Sequence, residues 1–177
     1  MNQDAVRILA AAFTDDPVMR WVFPVDTHQR LLALWPAVAV GTVDVSADRG
    51  AAAIWRAPGE QVEGDSSSLL AAATPDELER LGAMDAAMTA AHPSEPHWYL
   101  LAIGADPCGG GRGGALLAAG LERTGGQPAY LESSNPRNVS LYLRHGFEVT
   151  GTITAHGGPP FTTMWRPGDR QQARRRP

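Results

Sequence analysis

Residues 130–147 read Tyr-Leu-Glu-Ser-Ser-Asn-Pro-Arg-Asn-Val-Ser-Leu-Tyr-Leu-Arg-His-Gly-Phe. The start of this stretch completes a short apolar strand predicted over 129–133. A short helix is predicted from Asn138 to His145, followed by a strand over 147–155. Asn138 and Tyr142 are one turn apart, so they fall on one face of that helix. This strand–helix–strand order is typical of an α/β protein.

A glycine-rich loop lies upstream of this stretch. The nearly continuous apolar run 97–105 predicts a buried strand. The loop 106–114 follows it, and a helix is predicted from Ala115 to Arg123. Glycines let a ligand approach the backbone closely, and the N-terminus of the next helix attracts anions, so the loop is a candidate phosphate site. A flexible connection is the alternative.

The same loop keeps a second type of site open. Gly109, Gly111 and Gly114 satisfy the G-x-G-x-x-G spacing of dinucleotide-binding proteins, and Glu132 follows 18 residues after the last of them. In a stretch so rich in glycine the match discriminates little. A P-loop is excluded, because its lysine and the following Ser or Thr are absent.

The amino-terminal half predicts a mixture of helices and strands. Thr74 and Glu77 form a capping box with Pro75 at the first helical position, which predicts a helix to about Ala91. Two strands are predicted across the turn Asp48-Arg49-Gly50. The remaining predicted elements are a helix over 3–14 ended by 15–17, a helix over 27–40, strands over 42–46 and 51–56, a loop over 57–68, and a final strand over 161–166.

Composition bounds the class of protein. The chain has 177 residues, of which 44% are hydrophobic and 19% charged, with a net charge of -4. This excludes a disordered chain, and no apolar run approaches the roughly 20 residues of a membrane span. We predict one domain over 1–168 and a basic, disordered tail over 169–177. Cys108 is the single cysteine, and no signal peptide is visible, so a cytoplasmic location is expected.

The segment 130–147 resembles the GCN5-related N-acetyltransferase (GNAT) superfamily. The resemblance rests on the strand 129–133, on Asn138 followed by Leu141-Tyr142, on the basic pair Arg144-His145 and on Gly146-Phe147. It covers residues 95–166. The segment Gly110–Ala115 is similar to the family's pyrophosphate loop, written Q/R-x-x-G-x-G/A, with Gly110 in place of Gln or Arg. Residues 95–100, 131–133 and 136–138 most resemble the puromycin N-acetyltransferase-like members.

The resemblance implies a fold and an activity. The expected α/β fold is a mixed, partly splayed sheet flanked by helices, without the strand that usually precedes the first helix. The expected activity is transfer of an acetyl group from acetyl-CoA to a small-molecule amine, by direct attack in a ternary complex. No metal, nucleic acid or membrane partner is expected, and a homodimer is compatible with the family.

The resemblance also assigns residues. Tyr142 would protonate the departing CoA thiolate, and Glu132 would take a proton from the attacking amine. A backbone N–H at the end of the strand 103–105 would polarise the oxyanion. The residues expected to hold the cofactor are Ile103, Gly104, Ala105, Gly110, Gly111, Arg112, Gly113, Gly114, Ala115 and Asn138.

Each residue also has a structural alternative. Tyr142 could be packing, Glu132 an ordinary strand residue, and Asn138 a helix cap. Cys108 has no visible activating partner, and the five histidines lack metal-ligand spacing. His97 is a lesser candidate base. The aromatic residues that could line an amine pocket are Trp21, Phe23, Trp55, Trp98 and Tyr99.

Two rival functions remain at this point. One is a CoA-binding regulatory protein that has the fold but little or no turnover, which the replacement at Gly110 motivates. The other is a dinucleotide-binding oxidoreductase, which the glycine spacing motivates. Net charge and the aromatic segments 21–24 and 97–99 favour a cationic small molecule over a polyanion as acceptor.

Overall fold

A computed structural model describes residues 2–60 and 64–169. These residues form helices and one mixed sheet. The helices are α1 (Gln3–Phe13), α2 (Pro17–Val22), α3 (Thr27–Val38), α4 (Ser67–Ala72), α5 (Pro75–Ala91), α6 (Arg112–Arg123) and α7 (Val139–Arg144), the last preceded by a 3-10 turn (Pro136–Asn138). The strands are β1 (Thr42–Val45), β2 (Ala51–Arg56), β3 (Trp98–Ala105), β4 (Ala129–Ser133), β5 (Glu148–Thr154) and β6 (Pro160–Arg166).

The sheet opens in its middle. Its order is β1-β2-β3-β4-β6-β5, and β3 and β4 are the parallel neighbours. Their ladder covers only Trp98 opposite Ala129 and Tyr99 opposite Tyr130. Beyond these pairs, within the described chain, the two strands diverge and the β4-facing backbone of β3 has no strand partner. The predicted mixed, partly splayed sheet is therefore confirmed.

A β-bulge in β3 lies where the strands diverge. Ile54 of β2 is opposite Ala102 and Trp55 is opposite Leu100, so Leu101 is the extra residue. Leu101 and Ala102 consequently both pack on the face covered by α1–α3, whereas Leu100 and Ile103 pack on the other face. Bulges redirect side chains and are frequent beside active sites.

Each face of the sheet has its own hydrophobic core. One core packs α1, α2 and α3 against Ala52, Ile54 and Ala102. The other packs α6 and α7 against Trp55, Leu131 and Met164. The sheet is thus buried on both sides, which explains why β2 and β3 are almost continuously apolar.

The local sequence signals account for most elements. The Thr74 hydroxyl accepts a hydrogen bond from the Glu77 N–H, and the Glu77 carboxylate accepts one from the Thr74 N–H, so the predicted capping box is present. Glu77 also pairs with Arg30 of α3 at 3.2 Å, and Arg80 donates to the carbonyl oxygen of Val22. These contacts fix the first half of α5 against α2 and α3.

Three predicted boundaries were wrong. Asp16-Pro17 begins α2 as N-cap and first helical residue, whereas the sequence interpretation used it only to end α1. Helix α4 lies partly in and just after the predicted loop 57–68. Helix α6 begins at Arg112, so Gly113 and Gly114 are helical and not part of the loop. Residues 170–177 of the predicted tail lie outside the described residues. In the described chain the first strand is β1, which follows α3, so no strand precedes the first helix there.

Candidate active site

A cavity of about 1080 Å³ extends from the opening between β3 and β4 to the inner side of α5. Leu100–Ile103 of β3, Leu131–Ser133 of β4 and Tyr142 of α7 line it at the opening. Met84, Asp85 and Met88 of α5 and Trp35 of α3 line its far side. The cavity therefore joins the free edge of β3 to a half-open space large enough for a small molecule.

The glycine segment folds into a tight turn before α6. Gly109, Gly110 and Gly111 have φ of +95°, +68° and +77°, the left-handed region that glycine adopts without strain. Gly111 is the N-cap of α6. The first N–H groups of this 12-residue helix therefore follow directly after a turn of bare backbone, an arrangement that suits a phosphate group.

An ion pair fastens the start of α6 to the β1–β2 turn. Arg112 Nε donates to Asp48 Oδ2 at 2.6 Å. The hydroxyl of Ser46, with this guanidinium and the Gly50 N–H, lowers the pKa of Asp48 to about 2. Asp48 is thus ionised at neutral pH, and part of the Arg112 guanidinium is held by protein.

The edge of β3 carries the next predicted cofactor residues. Ile103 lines the cavity. Gly104 lies so close to α1 that an added Cβ would be 2.6 Å from the Cβ of Ala12. Ala105 pairs with Ala51 of β2. Glycine at 104 therefore lets α1 approach the strand, which is a packing role that the sequence interpretation did not assign to it.

Tyr142 lies in α7 beside the cavity. It is buried, and its ring centroid is 6.0 Å from that of Phe147. Burial, together with the charge of Asp16, raises the pKa of the phenol. Tyr142 therefore stays protonated throughout the physiological pH range.

Asn138 also borders the cavity but does not cap the helix. Its side chain makes no cap hydrogen bond to α7. Asn135 caps the preceding turn instead, with its side-chain oxygen accepting from the Arg137 N–H at 3.1 Å. The alternative interpretation, in which the Asn138 side chain caps the helix, was therefore wrong. Asn138 is exposed, and its side-chain amide borders the cavity.

Glu132 is the most unusual group of the site. Its side chain is 1% exposed, and within the described residues neither carboxylate oxygen has a hydrogen-bond partner. The phenols of Tyr99 and Tyr130 lie near it without hydrogen-bonding geometry to its oxygens, and burial together with its charge raises the pKa of both. A buried carboxylate without hydrogen bonds is costly, so Glu132 has acceptor capacity left for a ligand, a water molecule or the two neighbouring phenols.

Two histidines continue the cluster. His92, which ends α5, places Nδ1 3.9 Å from Glu132 Oε1. His92 Nε2 is 3.2 Å from His97 Nε2, and His97 Nδ1 is 2.6 Å from the carbonyl oxygen of Glu95. Sequence reasoning considered His92 only for metal ligation and so missed this contact with Glu132.

The cavity is acidic. Among its described lining residues are four carboxylates and one arginine. The arginine, Arg56, donates to the carbonyl oxygens of Val38 and Val40, so its guanidinium is occupied by backbone. The carboxylates are Glu60, Asp85, Glu95 and Glu132.

The aromatic lining differs from the sequence prediction. Phe23 and Trp55 are fully buried core residues, and neither Trp21 nor Trp98 lines the cavity. Tyr99 does line it. Three further aromatic residues on its walls, which were not predicted to line an amine pocket, are Phe13, Trp35 and Phe161. Cys108 is exposed and lies outside the lining, which agrees with its dismissal as a nucleophile.

The fold and the open β3 edge define an acyl-CoA N-acyltransferase type of α/β protein. A solved structure described as histone acetyltransferase HPA2 and related acetyltransferase from Corynebacterium glutamicum is 31% identical to this chain, with a TM-score of 0.66. The match covers 92% of this chain and 88% of that one. The chain therefore belongs to the GNAT acetyltransferase superfamily. No family model matches it.

Two more distant structures share the fold. One is a Drosophila melanogaster polyamine N-acetyltransferase that catalyses formation of N-acetylagmatine, 19% identical with a TM-score of 0.58 over 90% of this chain and 91% of that one. The other is arylalkylamine N-acetyltransferase 2 from Aedes aegypti, 13% identical with a TM-score of 0.57 over 92% of each chain. The finer likeness to puromycin N-acetyltransferases stays a prediction. In the described part of the chain, no helix is long and apolar enough to cross a membrane.

Proposed function

We propose that this protein transfers the acetyl group of acetyl-CoA to the amine of a small molecule, by direct attack within a ternary complex. The observation that carries the proposal is the cavity that connects the open edge of β3 with an acidic, partly aromatic space under α5. One arm of this cavity suits a thioester lying along a strand, and the other suits a cationic acceptor. Membership of the GNAT superfamily supports acetyl transfer as the reaction.

The cofactor would lie across the divergence of β3 and β4. Ile103, Gly104 and Ala105 pair with β2 on one side, and the backbone groups of this segment that face β4 can bind the pantetheine arm as an added strand would. The turn and first helical residues Gly110–Ala115 would hold the pyrophosphate through backbone N–H groups and the helix dipole. Asn138 stands at the cavity edge, where its amide could bind the cofactor.

Tyr142 is the proposed proton donor. The amine nitrogen forms a bond to the thioester carbonyl carbon, an N–H at the end of β3 stabilises the oxyanion, and the C–S bond breaks. The phenol then gives its proton to the leaving thiolate. Because burial raises the pKa of Tyr142, the phenol is protonated when the reaction begins, and the phenolate regains a proton readily.

Glu132 has the role of a negative charge that promotes the loss of a proton from the acceptor's ammonium group. An alkylammonium group cannot attack until it is deprotonated, because its nitrogen lone pair is occupied. The carboxylate of Glu132 lines the cavity and has no protein hydrogen bond that would compete for it. It can therefore promote this proton loss directly or through an intervening group.

The acceptor class follows from the cavity walls. Four carboxylates attract a cation, and the rings of Trp35, Phe161 and Tyr99 offer faces for an apolar or charged portion of the molecule. The related protein named as a histone acetyltransferase makes a protein lysine the second candidate acceptor. The position of the cavity between β3 and the inner side of α5 favours the small molecule.

Assay of a panel of amines and a lysine-peptide library at equal concentration tests this function. Polyamines, arylalkylamines, and aminoglycoside- and nucleoside-type antibiotics belong in the panel, with free thiol and acetylated product as readouts. We expect thiol release with one or more small amines and little with peptides. Activity on peptides alone would overturn the acceptor class, and acetyl-CoA binding without any turnover would favour the regulatory alternative.

A further inference from the structure

Glu132, His92, His97, Tyr99 and Tyr130 form one cluster beside the cavity. Among these residues, His92 borders both the cavity and the buried carboxylate of Glu132, and its side chain is also partly exposed. Its side chain is 37% exposed, whereas that of Glu132 is 1% exposed. His92 lines the cavity, and its Nδ1 faces Glu132 Oε1 at 3.9 Å. It can therefore exchange protons with a bound molecule and with solvent, which the enclosed carboxylate cannot do easily.

The hydrogen bonds of His97 assign the tautomer of His92. The carbonyl oxygen of Glu95 can only accept, so His97 Nδ1 carries the hydrogen of that 2.6 Å bond. Burial lowers the pKa of His97, so its ring is neutral and its Nε2 accepts. The hydrogen between the two Nε2 atoms, 3.2 Å apart, must then come from His92.

The consequence is an unoccupied lone pair at a defined place. Neutral His92 carries its hydrogen on Nε2, so Nδ1 presents a lone pair toward the Glu132 carboxylate. Two acceptors facing each other gain nothing, but a proton on Nδ1 converts them into an imidazolium–carboxylate pair. Nδ1 of His92 is therefore the ring atom at which an added proton would lie next to the Glu132 carboxylate.

We propose that His92 Nδ1 takes the proton that the acceptor ammonium must lose, that Glu132 stabilises the resulting imidazolium, and that His97 is a positioning residue that holds the tautomer. This assignment rests on the proposed function. Of the two protons that the ammonium nitrogen loses, the first passes to His92 and on to solvent. The second leaves the nitrogen as the tetrahedral intermediate collapses and restores the phenol of Tyr142, whose own proton has gone to the thiolate, so the products are the acetamide, CoA thiol and one proton in solvent.

Among the described groups that contact His92, the rings are neutral and Glu132 is the charged partner. The rings of Tyr99 on β3 and Tyr130 on β4 contact it edge-on, at centroid distances of 4.9 and 5.2 Å, and both phenols are neutral. His97 packs on Trp165 of β6 and is neutral. The further charges near the cluster are Glu95 and Arg56, which act on His97 and Tyr99 respectively.

His92→Gln tests the assignment, with His156→Gln as the matched control, because His156 is exposed in the β5–β6 turn and away from the cavity. In His92→Gln we expect kcat/KM at neutral pH to fall about 10²-fold. We also expect its pH profile to follow the free-amine fraction of the acceptor, rising up to the amine's own pKa. Acetyl-CoA affinity should be unchanged, and His156→Gln should match the parent.

The results separate this inference from the proposed function. If the parent protein acetylates an amine and His92→Gln keeps the parent's rate and pH profile, the role of His92 is wrong while the function stands. If the parent binds no acetyl-CoA and acetylates no acceptor, the function itself fails, and the inference fails with it.

Nitrogen-15 NMR of the histidine rings gives a readout that needs no turnover. The neutral form of His92 should carry its hydrogen on Nε2 and that of His97 on Nδ1. A neutral His92 with its hydrogen on Nδ1 would overturn the proposal.

Discussion

The hydroxyl of Ser134 donates a 2.7 Å hydrogen bond to Oδ2 of Asp16, joining the corner between α1 and α2 to the loop after β4. The other oxygen of Asp16 accepts from the N–H groups of Val18 and Met19, at 3.0 and 3.2 Å. One buried carboxylate therefore begins α2 and holds the loop that leads to Tyr142. Its charge also contributes to the raised pKa of that tyrosine.

Asp16→Asn should change stability in a pH-dependent way. Burial raises the pKa of Asp16, and the hydrogen bonds to its carboxylate offset this rise only in part. The carboxyl group of Asp16 therefore holds its proton more tightly in the folded protein than in the unfolded chain. The protonated carboxyl group of Asp16 therefore stabilises the folded protein. This stabilisation is fully present below the pKa of about 3.8 in the unfolded chain, and it is lost as pH rises through the raised pKa of the folded protein. Asparagine remains a good N-cap. The free energy of unfolding of the variant, relative to the parent, should therefore rise between about pH 4 and pH 7 in urea titrations.

A stability difference that does not vary with pH would show that Asp16 has the same pKa in the folded and unfolded protein. Asp15→Asn is the neighbouring control, because Asp15 is exposed and its ion pair among the described residues is with an exposed Arg20. We expect that control to change the free energy of unfolding by less than about 1 kcal/mol.

Gly113→Asp should remove acetyl-CoA binding without unfolding the protein. Gly113 is the second residue of α6, and a Cβ there would meet no atom within 4 Å. A carboxylate in the first turn favours the helix but repels a pyrophosphate bound there. The rise in melting temperature that acetyl-CoA gives the parent should vanish, whereas the uncharged Gly113→Asn should keep part of it. A parental shift in the Asp variant would contradict this cofactor site.

Gly120→Ala and Gly82→Ala should shift stability in opposite directions, although both replace a glycine within a helix. A Cβ on Gly120 would overlap the indole of buried Trp55, while a Cβ on Gly82 of α5 would meet nothing. Urea unfolding should show a loss of about 1–3 kcal/mol for the former and a gain of about 0.5–1 kcal/mol for the latter. Equal gains would mean that α6 lies farther from the sheet than described.

Tyr142→Phe should lower kcat about 10²-fold or more while the Kd for acetyl-CoA stays nearly constant. The ring keeps its packing against Phe147, so only the proton donor is lost. Steady-state kinetics beside a binding titration separates the two effects. If the folded variant turns over like the parent, Tyr142 has only a packing role.

Sequence signals that act over a few residues predicted their elements correctly. The capping box at Thr74 and the β1–β2 hairpin depend on contacts between near neighbours in sequence, and the strand 129–133 is marked by its own short apolar run. The signal of Asp16-Pro17 was equally local, an N-cap followed by proline, and could have predicted the start of α2. It was interpreted only as the end of α1.

The candidate site depends on long-range placement, which the sequence does not carry. His92 and Glu132 meet because α5 ends beside the last paired residues of β3 and β4, and their 40-residue separation gives no hint of this. The cavity walls show the same limit. Trp55 and Phe23 were candidates by type, but sheet packing buries them and brings Phe13, Trp35 and Phe161 to the cavity instead.

The most direct test of acetyl transfer to a small amine compares the protein with acetyl-CoA before and after the amine is added. Mass spectrometry follows the protein and the amine, and a thiol reagent follows free CoA. We predict no acetylated protein and no thiol until the amine is present, and then one acetylated amine for each thiol released. Thiol release without the amine, an acetyl group on Cys108, or no acetylated product from any amine would contradict the account.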